Sequence, residues 1–203
     1  MSDNGIIYYW KFGKLRVFGP NDALEKRKIK IGLNKRFGKP NCKDITSDFM
    51  KKATPGIGKV DKQNYIVKNG VKYVENGKNV RWRITTDEKE NAAWITLKIG
   101  GNIYHIPKVN PPQNVKTADY YWDYIKGFLE HKGLTGDTRN TIPNAVERGE
   151  GQSKNLLLDI TNSKILFEEG ILDIIKVFDN TDYAWVDLII LRKGDEFIVI
   201  KRI

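Results

Sequence analysis

The chain has 203 residues, 40% hydrophobic and 30% charged, with a net charge of +10 and a single cysteine. That length buries a full core, and the balance excludes a disordered or membrane-embedded chain, since no apolar run approaches the roughly 20 residues that cross a bilayer. Cys42 alone can form no internal disulfide, and the polar start Met1–Gly5 lacks the layout of a secretory signal, so an intracellular, cytoplasmic, soluble protein is expected.

The first 110 residues read as antiparallel sheet. Ile6–Phe12 and Leu15–Phe18, rich in aromatic and β-branched residues, flank Gly13-Lys14 as a hairpin. In Lys26–Leu33, Ile29, Ile31 and Leu33 share one face of a strand and Lys28 and Lys30 the other. Residues 34–63 hold two turn clusters, Gly38–Asn41 and Pro55–Gly58, around one helical turn at Thr46–Lys52, and read as a long basic loop. A meander follows: Tyr65–Lys68, Asn69-Gly70, Val71–Val74, then Val80–Thr85, Ala93–Ile99 and, after Gly100-Gly101, Asn102–Ile106. Pro107, Pro111 and Pro112 mark a boundary.

Beyond it, Thr117 reads as the N-cap of a helix carrying Tyr121, Tyr124, Ile125 and Phe128 on one face and ending near His131, Lys132 and Gly133. Residues 135–154 read as a loop. Leu156–Ile160 is a buried strand, a helix runs from about Asn162 to Phe178 with a bend at Gly170, and Ala184–Leu191 and Glu196–Ile200 are strands joined through Lys193–Asp195 and covered on both faces. The expected fold is α+β: a β-rich, barrel- or sandwich-like meander over 1–110, and a helix-containing part over 111–203 that ends in a β-hairpin and either shares one core with the first or has its own.

Charge is unevenly placed. Residues 1–60 hold 14 Lys/Arg against 5 Asp/Glu, whereas residues 156–203 hold 6 against 9. A basic front half suits a polyanion. Lys26, Arg27, Lys28, Lys30, Lys35, Arg36 and Lys39 are candidate phosphate contacts, in a row on a strand and the loop after it. Arg81 and Arg83 share a strand face opposite Trp82 and add guanidinium forks. The same lysines also suit a guarded edge strand, and the aromatics suit a core more than base stacking.

Catalytic signals are sparse. Glu168 and Glu169 on a helix, Asp187 on a strand, then a hairpin leading to Val199 and Lys201 resemble the core of the PD-(D/E)XK nucleases over about forty residues. That family carries a second carboxylate two residues before its lysine. Val199 stands there, and the chain stops two residues past Lys201, so the resemblance implies a catalytically dead relative. His105, His131 and Cys42 lack metal spacing, and Gly56–Lys59 lacks the serine or threonine of a phosphate loop. No catalytic, cofactor-binding or metal-binding residue is assigned. The leading expectation is a nucleic-acid-binding protein, DNA before RNA, that grips the phosphate backbone. The alternatives are a structural or interaction subunit of a larger assembly or homo-oligomer, and a nuclease-like enzyme.

Overall fold

The computed structural model describes residues 7–11, 14–18, 41–110, 112–113 and 115–203. The α+β class holds. An eight-stranded mixed sheet runs β3(Cys42–Asp44), β14(Glu196–Arg202), β13(Leu188–Lys193), β12(Asn155–Asp159), β11(Gly127–Gly133), β10(Tyr120–Trp122), β8(Ile103–His105), β4(Val60–Lys62). Three further two-stranded ribbons pair β1(Ile7–Lys11) with β2(Lys14–Phe18), β5(Tyr65–Lys68) with β6(Val71–Val74), and β7(Val80–Arg81) with β9(Lys108–Val109). No helix among the described residues is long and apolar enough to cross a membrane.

The centre of the sheet is parallel. β11, β12 and β13 run the same way, linked through α3(Thr141–Gly149) and α4(Phe167–Asp179), and antiparallel hairpins β10–β11 and β13–β14 flank them. Both crossover helices pack on one face, against Leu156, Leu158, Ile189, Leu191, Ile198 and Ile200. The other face, carrying Tyr120, Trp122, Leu129, Leu157, Ile190 and Val199, is covered by α2(Thr86–Lys98) and by residues of α1(Thr46–Met50). Strict alternation of Leu156, Leu157 and Leu158 between the two cores explains the unbroken hydrophobicity of this stretch. Ile66, Val80, Ile106 and Val109 make a third, small core under the ribbons.

Several expected elements change identity. Ala93–Ile99 lies largely in helix α2, whose start is fixed by a reciprocal capping box: Thr85 Oγ1 accepts from Glu88 N and Glu88 Oε2 from Thr85 N. Gly100, at φ +96°, ends that helix instead of turning a hairpin; an added Cβ would lie 2.1 Å from the Thr54 carbonyl oxygen. The expected helix from Thr117 is the β10–β11 hairpin, so His131 is a strand residue and not a helix-end cation. Tyr120 and Trp122 enter one core while Tyr121 joins the opposite side, a period of two. The expected loop 135–154 contains α3, whose Ile142, Ala145, Val146 and Gly149 are buried at helical spacing. Gly170 does not bend α4; it lets the helix approach Leu191, whose Cδ2 an added Cβ would meet at 2.9 Å. Within residues 34–63 the described part contains β3, α1 and β4, so the stretch is not one loop. The Asn69-Gly70 turn is as expected, both residues having positive φ, 51° and 76°.

Candidate functional site

The β10–β11 hairpin sets Tyr120 opposite Leu129, and alternation along β11 then places Phe128, Glu130 and Lys132 on one face with His131 on the other. Asp119 precedes β10 and lies beside Glu130. Its Oδ2 accepts from His131 N at 3.0 Å, and its Oδ1 accepts from Lys108 Nζ on β9. Lys132 Nζ donates to Glu130 Oε1 at 2.6 Å and to Gln152 Oε1 at 3.0 Å. Glu88, fixed in the first turn of α2 by its capping role, is close enough to Asp119 for each carboxyl to shift the other's titration. Asp119 is 7% exposed and Glu130 2%; Glu130 Oε2 is buried and has no hydrogen-bond partner among the described residues.

Three carboxyls thus lie near two ammonium groups, Asp119 and Glu130 buried, and Glu88, Lys108 and Lys132 part-exposed. Burial, and next the charge of Asp119, push Glu88 up to about 6 and Glu130 up to about 7. Burial is also the largest influence on Asp119 and acts in the same sense, but the Lys108 ammonium, Glu88 and the His131 amide together outweigh it and hold that carboxyl below its ordinary value. The surplus of negative charge is relieved by a proton shared between Glu88 and Asp119, by protonation of Glu130, or by a bound cation.

No family model matches this sequence, and no curated protein does. One chain of the CdiA-CT/CdiI toxin and immunity complex from Burkholderia pseudomallei is similar at 14% identity, covering 70% of this chain and 98% of that chain, with a TM-score of 0.46.

A second polar network ties the hairpin to α2. Asn91 Oδ1 accepts from Arg192 Nη1 at 2.6 Å, and Asn91 Nδ2 donates to Asp159 Oδ2 at 3.1 Å. Those partners and the Asp87 carbonyl, which accepts from Nδ2 at 3.0 Å, fix the amide's orientation, so the amide NH2 group also faces the lone pair of His131 Nε2, at 3.1 Å. His131 then carries its proton on Nδ1, and burial lowers its pKa, which keeps it neutral. Arg192 stacks over Trp94 at 4.7 Å. Asn91 lies one helical turn beyond Glu88, so this network anchors the turn that presents Glu88 to Asp119.

The nuclease-like layout expected around Asp187 does not assemble. Glu168 and Glu169 begin α4, where Gly170 packs against Leu191, whereas Asp187 precedes the opposite, N-terminal end of the same strand. Glu169 accepts from Leu166 N as a capping side chain, Asp187 is half exposed and faces Lys154 at 3.8 Å, and Val199 is core. Cys42 is buried beneath α4, its thiol pushed up to about 12 by burial and next by Asp179, and it is packed into the core on the other face of the sheet from His131. His105 packs against Tyr120. Of the basic candidates, Lys26, Arg27, Lys28, Lys30, Lys35, Arg36 and Lys39 lie outside the described residues. Arg81 and Arg83 are exposed, and Arg81 stands opposite Lys108 in the β7–β9 ribbon, next to the ammonium that holds Asp119.

Asp119, Glu130 and Lys132 escape the sequence reading because the hairpin reads as a helix, and Glu88 because the body of its helix reads as the strand Ala93–Ile99. The signal is nonetheless present as Asp119, ten intervening residues, then Glu130-His131-Lys132. In a helix, Glu130 and Lys132 point about 200° apart; in a strand they share a face.

Proposed function

We propose that this protein is a metal-dependent nuclease whose centre is Asp119, Glu130 and Lys132, with Glu88 assisting. The observation that carries this reading is the burial of Asp119 and Glu130 side by side, with the Lys132 ammonium on Glu130 and one Glu130 oxygen left without a partner. The order acid, strand turn, acid-X-lysine is the PD-(D/E)XK pattern, here with Ala118 before the aspartate, on a different strand pair from the one first suggested by Asp187.

The donor set suits magnesium or manganese, which favour hard oxygen ligands and take one or two carboxylates together with substrate phosphate oxygens. Among the described residues no group of three or more acidic, histidine or cysteine side chains is placed to hold a metal ion, so an ion here would rest on two carboxylates and on substrate phosphate oxygens. Asp119 and Glu130 would hold the ion; when bound, it would polarise the phosphoryl group and acidify water.

The chain's own groups supply the rest. The Lys132 ammonium is available to hold the attacking water or to offset charge on the phosphoryl oxygens. Lys108 keeps Asp119 ionised, and Glu88 takes up a proton near neutrality. Arg81, exposed beside Lys108, is a phosphate grip, and Arg83 extends it. In the hydrolysis, the water oxygen bonds to phosphorus as the bridging P–O bond breaks, and a water proton ends on the leaving oxygen.

The test is cleavage of labelled single- and double-stranded nucleic acid. Cutting in Mg²⁺ or Mn²⁺, abolished by EDTA, is the expected result. Binding without cutting under every metal would return the protein to the backbone-gripping reading.

A further inference from the structure

A cleft of about 570 Å³ opens at the N-terminal ends of β11, β12 and β13. Phe128, Gln152, Asn155 and Trp185 line it, with Lys68 and Lys154. We infer that this cleft seats one unstacked base of a single-stranded substrate, with its phosphate directed at the carboxylates. This rests on the nuclease reading above.

Position is the first argument. Phe128 shares its strand face with Glu130, two residues on and so about 6.5–7 Å away, a span comparable to one extended nucleotide. Gln152 is the wall between cleft and carboxylates: its Oε1 accepts from Lys132 Nζ, and its Nε2 donates to the carbonyl of Thr117, two residues before Asp119. A ligand in the cleft therefore lies against the same side chain that touches the proposed catalytic lysine.

Shape and chemistry are the second. The volume is in the range of small-ligand sites and larger than one base needs, leaving room for its sugar. Phe128 on β11 and Trp185 in the turn before β13 are both half-buried and line the cleft, the kind of aromatic surface on which bases stack. Asn155 Nδ2 and Ser153 Oγ both donate to the Phe128 carbonyl, which fixes the floor and leaves Asn155 Oδ1 without a protein donor among the described residues. That oxygen can accept from a base's exocyclic amine. Lys68 Nζ donates to the Gly151 carbonyl at 2.6 Å and Lys116 Nζ to the Glu150 carbonyl at 2.9 Å, so two cations pin the loop that carries Gln152. A base can enter such a recess only when it is out of a duplex stack, which selects single strands, loops or frayed ends.

The test is fluorescence anisotropy of a fluorescein-labelled single strand and of the matching duplex, measured on protein carrying Glu130→Gln so that no cutting interferes. Adding Trp185→Ala should weaken single-strand binding about tenfold or more and leave duplex binding unchanged, while Trp185→Phe, which keeps an aromatic face, should restore most of the loss. Unchanged single-strand affinity in Trp185→Ala overturns the proposal. So does an equal loss for strand and duplex that Trp185→Phe fails to restore, since that marks a packing role. The two readings separate cleanly: a selective Trp185 effect in a protein that cuts under no metal removes the nuclease and keeps the base site, and cutting with an indifferent Trp185 does the reverse.

Discussion

Glu130→Gln should reduce single-turnover cleavage by about a thousandfold or more and, at pH 8 without metal, make the protein more stable. Both effects follow from one fact: a carboxylate is buried at 2% exposure with one oxygen unpartnered. Its ordinary value of 4.5 is pushed up to about 7, so holding it ionised at pH 8 costs on the order of 3 kcal/mol. Glutamine keeps an oxygen to accept from Lys132 and removes the charge. The expected gain is about 2 kcal/mol, or roughly 4–8 °C in melting temperature for a domain of this size. A residue that stabilises the fold when removed is retained for chemistry, whereas a structural residue does the opposite. A Glu130→Gln protein that melts lower than wild type at pH 8, or that cuts within about tenfold of it, contradicts this assignment.

The second large effect is on pH. Folded Glu130 titrates near 7 and its unfolded counterpart near 4.5, so between those values the folded state holds a proton that the unfolded chain has lost. The stabilisation this proton represents is complete below about pH 4.5 and disappears as pH rises to about 7. Glu88, raised to about 6, acts in the same direction over a narrower window. The buried His105 and His131, both lowered by burial, act in the opposite sense, gaining stability as pH rises towards 6.5. They are common to wild type and Glu130→Gln, so the difference between the two proteins isolates Glu130. That difference should be near zero at pH 4.5, grow with pH and level off above 7. Manganese must displace the same proton. Its affinity should therefore rise about tenfold per pH unit between 5 and 7, then flatten, and its stabilisation of wild type should be far larger at pH 8 than at pH 5. Calorimetric titration at pH 5, 6, 7 and 8 reads this directly; a flat profile removes Glu130 from the metal's ligands.

Parts of this were open to a reader of the sequence. The C-terminal strands declare themselves through Leu156–Ile160 and Leu188–Leu191, whose continuous hydrophobicity demands cover on both faces, and Asn69-Gly70 announces its hairpin through two residues that tolerate positive φ. The site was hidden by local ambiguity. Thr117, an apt N-cap, stands ahead of Tyr121, Tyr124, Ile125 and Phe128 at helical intervals, yet those aromatics serve two cores on opposite faces of a hairpin. Helix α2 was masked in the reverse way, its Trp94, Ile95, Leu97 and Ile99 resembling a strand, while Thr85 and Glu88 already wrote a capping box three residues apart. Tertiary burial overrode propensity in both places. What no spacing could give is that β9 delivers Lys108 to Asp119, or that Gln152 bridges Lys132 and Thr117.

The most direct measurement is single-turnover cleavage by Lys132→Met and Asp187→Ala, side by side in Mn²⁺. The account predicts a loss of about a hundredfold or more for Lys132→Met and a rate within about fivefold of wild type for Asp187→Ala. Full activity in Lys132→Met, or abolition by Asp187→Ala alone, would contradict it.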